Sequence, residues 1–223
     1  MEYLLRVGAS KPDYPNITHI FAIKHYKPKE EGDDEFSKRL IYFYKFGNNL
    51  DYFLESLINL YNLRFYGDSI IFDYVTLYPT RKKGEVNPCM AELIKKFSEK
   101  TGIPYRQVLR RNRDIRPNHE LRTFKERKEN VQGSLDVTDD VAKRNIIIFD
   151  NTSTTGISLI DAANLLKENG ADHVACICLG LGYKEREKDW SDLNKTLKYS
   201  RIIDICKSTF IKKEEIEKWR KKP

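Results

Sequence analysis

NIIIFDNTSTTGISL, residues 145–159, is the stretch on which the reading of this 223-residue chain turns. The apolar run Ile146 to Phe149 has the length of a strand and ends in Asp150 and Asn151. Thr154, Thr155 and Gly156 follow, small residues that let successive backbone N–H groups converge. Ile157 to Leu166 then carries apolar positions at helical spacing, with Gly170 as a helix stop. The pattern predicts a buried strand, a tight turn and a helix. Such a junction also occurs as a plain cap, but in this order its parts make an anion site. The first-turn N–H groups are unpaired, the helix dipole favours negative charge, and the Ser and Thr hydroxyls add donors. Asp150 stands at the carboxyl end of the strand, the edge where open α/β sheets bind ligands.

Outward from this junction the chain alternates. Ile17–Tyr26 and Lys38–Lys45 read as strands, rich in β-branched and aromatic residues, and Leu50–Tyr61 has the apolar spacing of a helix. Ser69–Tyr78 is a further buried-strand candidate, broken by Pro79 and the basic turn RKKG. Met90–Lys100 is a helix closed by Gly102, and Ile103–Leu109 a short strand. Arg110–Gln132 reads as a long polar loop before Leu135–Val137 and the 146–149 strand. Val174–Leu181 is the next strand, Lys184–Leu197 a charged excursion, Arg201–Cys206 a short strand and Ile211–Lys222 a terminal helix. Strands and helices in this alternation predict an α/β fold, a mainly parallel twisted sheet with flanking helices, in one domain over residues 1–223.

Charge and cysteine usage narrow the class. Forty Lys and Arg against 33 Asp and Glu leave a net charge of +7. Much of the excess sits in Arg106–Lys128, with nine basic residues against three acidic ones. The longest apolar runs, Asn145–Phe149 and Val174–Leu181, fall far short of the ~20 residues of a membrane helix, so a cytoplasmic protein with no membrane partner is expected. Cys89, Cys176, Cys178 and Cys206 show no CxxC or His-paired spacing, which predicts neither disulfide nor zinc. His19, His25, His119 and His173 have no partner evident in the sequence. The basic 106–128 segment, with Tyr105 and Phe124 available for stacking, also fits nucleic-acid binding, although no helix-turn-helix, OB or RRM pattern accompanies it.

The segment FDNTSTTGIS resembles the PRPP-binding signature of type I phosphoribosyltransferases: an apolar strand, two adjacent acids, two variable residues, Thr-Thr-Gly and a further Ser or Thr. The resemblance implies the family's fold with a small hood region, to which residues 1–65 and 184–223 would contribute hood or peripheral elements. It implies a 5′-phosphate on Ser153, Thr154, Thr155, Gly156, Ile157 and Ser158, and ribose hydroxyls on Asp150 and Asn151 as the catalytic pair. Asn151 departs from the pattern, standing where the family usually has its second acid. The turn Thr80, Arg81, Lys82, Lys83 matches by position the family's pyrophosphate loop, which uses backbone amides and often a basic side chain. Mg²⁺ would arrive with PRPP, with Asp150 as a weak protein ligand, and Arg111, Arg113, Arg116 and Arg127 would belong to a closing lid.

A narrower resemblance runs over roughly residues 38–182, to the ComF-like phosphoribosyltransferases associated with DNA uptake. The matching pieces are Gly84 and Asn87 before a helix, Arg111 and Arg113, and Glu126, Arg127, Asn130, Val131 and Gly133. That group's N-terminal cysteine-rich module has no counterpart here, and Leu135 replaces a Phe. What the resemblance implies is a transferase that binds PRPP or a nucleoside monophosphate and displaces pyrophosphate from C1 of PRPP with a nucleobase or amine. A homodimer is an admissible assembly. Two alternatives stand beside it: a PRPP- or nucleotide-sensing module without turnover, which Asn151 favours, and a nucleic-acid-binding protein using the basic segment.

Overall fold

The computed structural model describes residues 4–8, 18–27, 34–65, 70–117, 120–121, 123–182 and 196–198. The expected strand at 201–206, the terminal helix, Cys206, His119 and most of the 184–197 excursion lie outside these residues.

The chain runs β1 (Leu4–Gly8), β2 (Thr18–Tyr26), α1 (Glu35–Phe46), α2 (Leu50–Phe65), β3 (Tyr74–Leu77), α3 (Pro88–Thr101), β4 (Leu109–Arg111), α4 (Phe124–Val131), β5 (Leu135–Val137), β6 (Asn145–Ser153), α5 (Ile157–Glu168), β7 (His173–Gly182) and β8 (Thr196–Lys198). Six strands form one sheet in the order β3-β6-β7-β2-β1-β8. β3, β6, β7 and β2 are parallel, whereas β1 and β8 join antiparallel at one edge. β4 and β5 make a separate antiparallel pair. The fold is thus a mainly parallel sheet with flanking helices.

The apolar run of β6 explains why this sheet is buried on both faces. Ile147 and Phe149 point to one side, into a core shared with α1, α2 and α3 through Leu40, Phe43, Phe53, Leu57, Leu93 and Phe97. Ile146 and Ile148 point to the other, against α5 through Leu159, Ala162, Ala163 and Leu166. A strand covered on both sides loses the alternation of a half-exposed one and reads as continuous hydrophobics. β2 and β7 divide in the same way, Phe21 and Ile177 to the first core, Ile20 and Cys176 to the second. Residues 18–65 accordingly supply an inner strand and much of one helical layer.

Two sequence expectations are corrected. Residues 38–45 form part of helix α1, not a strand. Asp34 caps it by accepting from the Ser37 amide at 3.0 Å, Gly47 closes it at φ 78°, and Phe36, Leu40 and Phe43 recur at helical spacing on the buried side. The aromatic content that suggested a strand packs as a helix stripe, because burial outweighs intrinsic preference. The segment 110–132 is not one long loop. It contains the end of β4 and the helix α4, whose capping box joins Thr123 and Glu126. Thr-x-x-Glu before a helix is a readable start signal, masked here by the surrounding charge. Strand bounds also moved: β3 begins only at Tyr74, with Ile71 exposed, and the strand expected at 103–109 is instead β4, preceded by a single bridge from Tyr105 to Val75.

Phe149 is wholly buried and packs edge-on against Phe97, with ring centroids 5.1 Å apart. Phe149→Ala should therefore cost about 3–5 kcal/mol of stability, a large share of what a domain has to lose. Urea unfolding followed by circular dichroism checks it, with a lower midpoint expected.

Candidate functional site

The carboxyl ends of β3, β6, β7 and β2 lie at one edge of the sheet. β3 and β6 are hydrogen-bonded neighbours, with Leu77 opposite Phe149, and the Tyr78 amide donates to the Phe149 carbonyl at 2.8 Å. The turns that follow these strands are thereby held side by side. The turn after β3 is the basic Thr80–Gly84 turn; that after β6 is Thr154–Gly156.

β6 is longer than its apolar run. Asp150 pairs with Cys178, Thr152 with Gly180 and Ser153 with Leu181, so the acid-amide pair is fixed by the ladder and the turn proper begins at Thr154. Gly156 starts α5 from the left-handed region at φ 80°, without a side-chain cap, and its carbonyl accepts from Ile160. Such a φ favours glycine strongly. Among the described residues, no protein acceptor meets the amides of Ile157, Ser158 and Leu159. These donors, with the hydroxyls of Thr154, Thr155 and Ser158, are the anion-binding elements expected at a helix start. Gly182 of β7 passes this turn so closely that a Cβ there would stand 2.6 Å from Thr154 Cγ2.

Asp150 is half-buried and its Oδ1 accepts from the Asn151 amide at 2.7 Å. Burial pushes its carboxyl up to about 7, an effect opposed by that hydrogen bond and by the charge of Arg111. Burial is the main reason that the pKa values of Tyr44 on α1 and Tyr78 beyond β3 are raised, and the Asp150 charge adds to the rise in both.

The Thr80–Gly84 turn departs from the amide cradle that the resemblance implies. Four of its five amides are occupied by protein: Thr80 donates to Glu85 O at 2.9 Å, Lys82 to Thr80 Oγ1 at 3.2 Å, Lys83 to Asp114 Oδ1 at 2.7 Å and Gly84 to Arg111 O at 3.0 Å. The side chains of Arg81, Lys82 and Lys83 are exposed. An anion at this turn would meet exposed cations instead of a nest of N–H groups. Asp114, 31 residues away, is the brace that sequence reasoning missed.

The four arginines expected in a lid differ in burial and partners. Arg111 is fully buried. Arg113 donates to the carbonyls of Asn130 and Gln132, both at 3.2 Å, and Arg127 to that of Leu121 at 3.2 Å. The backbone of Arg116 is held from both sides by Asn130, while its side chain is exposed. The bonds of Arg113 and Arg127 thus join the segment to itself. Gly84 and Asn87 also have structural duties, the first at φ 71° and the second capping α3 by accepting from the Met90 amide.

No group of three or more metal-ligating side chains is assembled among the described residues, and no described helix is long and apolar enough to cross a membrane.

No family model matches the chain, and no curated protein does. Among solved structures it is similar to a glutamine phosphoribosylpyrophosphate amidotransferase from B. subtilis complexed with ADP and GMP, at 22% identity and TM-score 0.36, covering 54% of this chain and 25% of that one. It is also similar to an asparagine mutant from an analysis of an invariant aspartic acid in HPRTs, at 12% identity and TM-score 0.39, covering 62% and 66%. A hypoxanthine phosphoribosyl transferase of Trypanosoma cruzi stands at 11% identity and TM-score 0.39, covering 62% and 65%. The chain spans about a quarter of the amidotransferase. Likenesses at this level carry no conclusion about activity.

Asp161 on α5 offers a pH test beside the site. Burial raises its carboxyl to about 6, against the pull of Arg111; Glu168 adds to the rise and Lys128 opposes it. A raised carboxyl contributes stability that is complete below the unfolded value and lost as pH climbs through the folded one. The melting temperature of Asp161→Asn relative to the parent should therefore rise from about pH 4 to about pH 7. A constant difference across that range would contradict the assignment. His19, lowered to about 4 chiefly by burial, acts with the opposite sign in both proteins and cancels in the comparison.

Proposed function

We propose that this chain is a phosphoribosyltransferase-like protein that binds PRPP and displaces its pyrophosphate with a nucleobase or amine. The observation that carries the reading is the β6–α5 junction: Asp150 at the strand end, Gly156 in the left-handed region, and the amides of Ile157 to Leu159 without protein acceptors. In this reading the 5′-phosphate sits on residues 153–158 and the ribose hydroxyls on Asp150 and Asn151. The exposed Arg81, Lys82 and Lys83 meet the pyrophosphate. A carboxyl poised near 7 accepts ribose hydroxyl hydrogen bonds once ionised, and positioning supplies most of the catalysis, since the displacement asks for little covalent chemistry from the protein.

The donor set fits a magnesium ion that comes with its substrate. Asp150 and Asn151 provide one carboxylate and one amide oxygen, and Mg²⁺ is commonly held by one or two protein ligands with phosphate oxygens and waters. When bound it would neutralise the leaving pyrophosphate. The proposal takes the chain as one cytosolic domain that resembles ComF-like proteins over roughly residues 38–182, with a homodimer as an admissible assembly.

Asn151 supports a second reading, a PRPP- or nucleotide-sensing module without turnover. The amide can still hydrogen-bond a ribose hydroxyl, but it withholds one negative charge from a site that receives a metal.

PRPP with Mg²⁺ should raise the melting temperature of the parent protein. Gly156→Val, which combines a β-branched side chain with a left-handed φ, should remove that shift. Unchanged stabilisation of the variant by PRPP would refute the phosphate turn. Pyrophosphate release measured over a panel of bases and amines separates enzyme from sensor. In the same assay Asn151→Asp should steepen the Mg²⁺ dependence and, for an enzyme, increase the rate.

A further inference from the structure

Arg111 ends β4 with its side chain wholly removed from solvent, and its hydrogen-bond partners are all neutral. Nε donates to the Thr80 carbonyl at 3.2 Å, Nη2 to the Tyr78 hydroxyl at 2.8 Å and Nη1 to the Ser134 hydroxyl. The guanidinium also lies over the Tyr78 ring, 5.0 Å from its centroid. A planar fork fixes these directions in a way that a flexible ammonium does not.

The three partners belong to different pieces of the site. Thr80 opens the basic turn, and the Arg111 carbonyl accepts from Gly84 at the other end of that turn. The residue therefore grips the turn twice. Tyr78 lies between β3 and the turn, and the Ser158 side chain, in the first turn of α5, acts on its hydroxyl. A continuous path thus runs from the basic turn through Arg111 and Tyr78 to the phosphate turn. Ser134 anchors its far side next to β5, its own hydroxyl donating to the Val131 carbonyl.

We propose that Arg111 is a positioning residue which, through Tyr78, fixes the separation of the two anion-binding turns and so favours ligands that carry a phosphate group at each end over ligands that carry one. The inference rests on the reading of residues 153–158 and 80–83 as phosphate and pyrophosphate subsites. A ligand that spans both turns binds its second end intramolecularly, with an advantage set by how well the turns are spaced. A ligand with a single phosphate does not sense that spacing. A general contribution of buried positive charge would strengthen every anion alike, so the two roles have different signatures.

The test measures PRPP, ribose 5-phosphate and inorganic pyrophosphate by calorimetry, each with Mg²⁺, on the parent, Arg111→Lys, Arg111→Met and Tyr78→Phe. Arg111→Lys keeps the charge but loses the fork, and Tyr78→Phe keeps the ring but loses the hydroxyl that Arg111 grips and on which Ser158 acts. Both should weaken PRPP about tenfold or more while changing either single-ended ligand by less than about threefold. Equal losses for all three ligands, or full retention of PRPP binding by both variants, overturns the proposal. Full rescue by Arg111→Lys after a loss in Arg111→Met overturns it too, since charge alone would then suffice. Should Arg111→Met fail to fold, Tyr78→Phe carries the same test. A parent that binds neither ribose 5-phosphate nor pyrophosphate instead overturns the functional reading beneath it.

Discussion

The parallel pairing of β3 with β6 is the constraint from which the site follows. Because Tyr74–Leu77 lies in register with Ile146–Phe149, β3 ends beside Phe149, four residues before β6 ends at Ser153, and the Tyr78 amide closes the ladder on Phe149. The chain then leaves the sheet at two neighbouring points, once through a basic turn and once, four residues later on β6, through the Thr-Thr-Gly turn. A sheet buried on both faces cannot slip this register cheaply, since a shift of one residue would turn Ile147 and Phe149 away from the α1–α3 core. The geometry of a surface crevice is thus set by packing deep inside.

Helix α5 is stabilised by that same packing, which frees its first turn. Leu159, Ala162, Ala163 and Leu166 are all buried against the sheet, so the helix holds without a side-chain cap at Gly156. A Ser or Asp cap would add roughly 1 kcal/mol but would occupy an amide that the proposed ligand needs. The basic turn shows the opposite economy. Most of its amides are spent on Glu85, Asp114, Arg111 and its own Thr80 hydroxyl, leaving mainly side chains to meet an anion. One turn presents fixed dipoles, the other flexible charge.

Arg111 joins the two at an energetic cost. A guanidinium without solvent must satisfy its donors on protein, and here it does so on neutral acceptors, which stabilise a buried charge less than a carboxylate would. Raised carboxyls at Asp150 and Asp161 lie within its electrostatic reach. A charge placed in this way is tolerated where surrounding structure over-determines it, and β4, β5 and the turn after β3 supply that structure.

The β6–α5 junction was legible because strand, turn and helix are consecutive: an apolar run, small residues and a helical period follow one another within 22 residues, Asn145 to Leu166. The α/β class, the helices α2 and α3 and the strand β7 were legible for the same reason, each being decided by a local period and a local stop. Residues 38–45 were misread because an aromatic-rich segment satisfies both periods until its cap and its buried face are known. Arg111 could not have been told from Arg110 or Arg113 by type or spacing. Only the β4–β5 pairing sends it inward while its neighbours stay exposed, and contacts such as Lys83 to Asp114 or Arg111 to Tyr78 join residues more than thirty positions apart. Local physical chemistry wrote the strand, the Thr-Thr-Gly turn and the helix start into the sequence; the choice of which charges are buried belongs to burial and long-range packing, which no local pattern records.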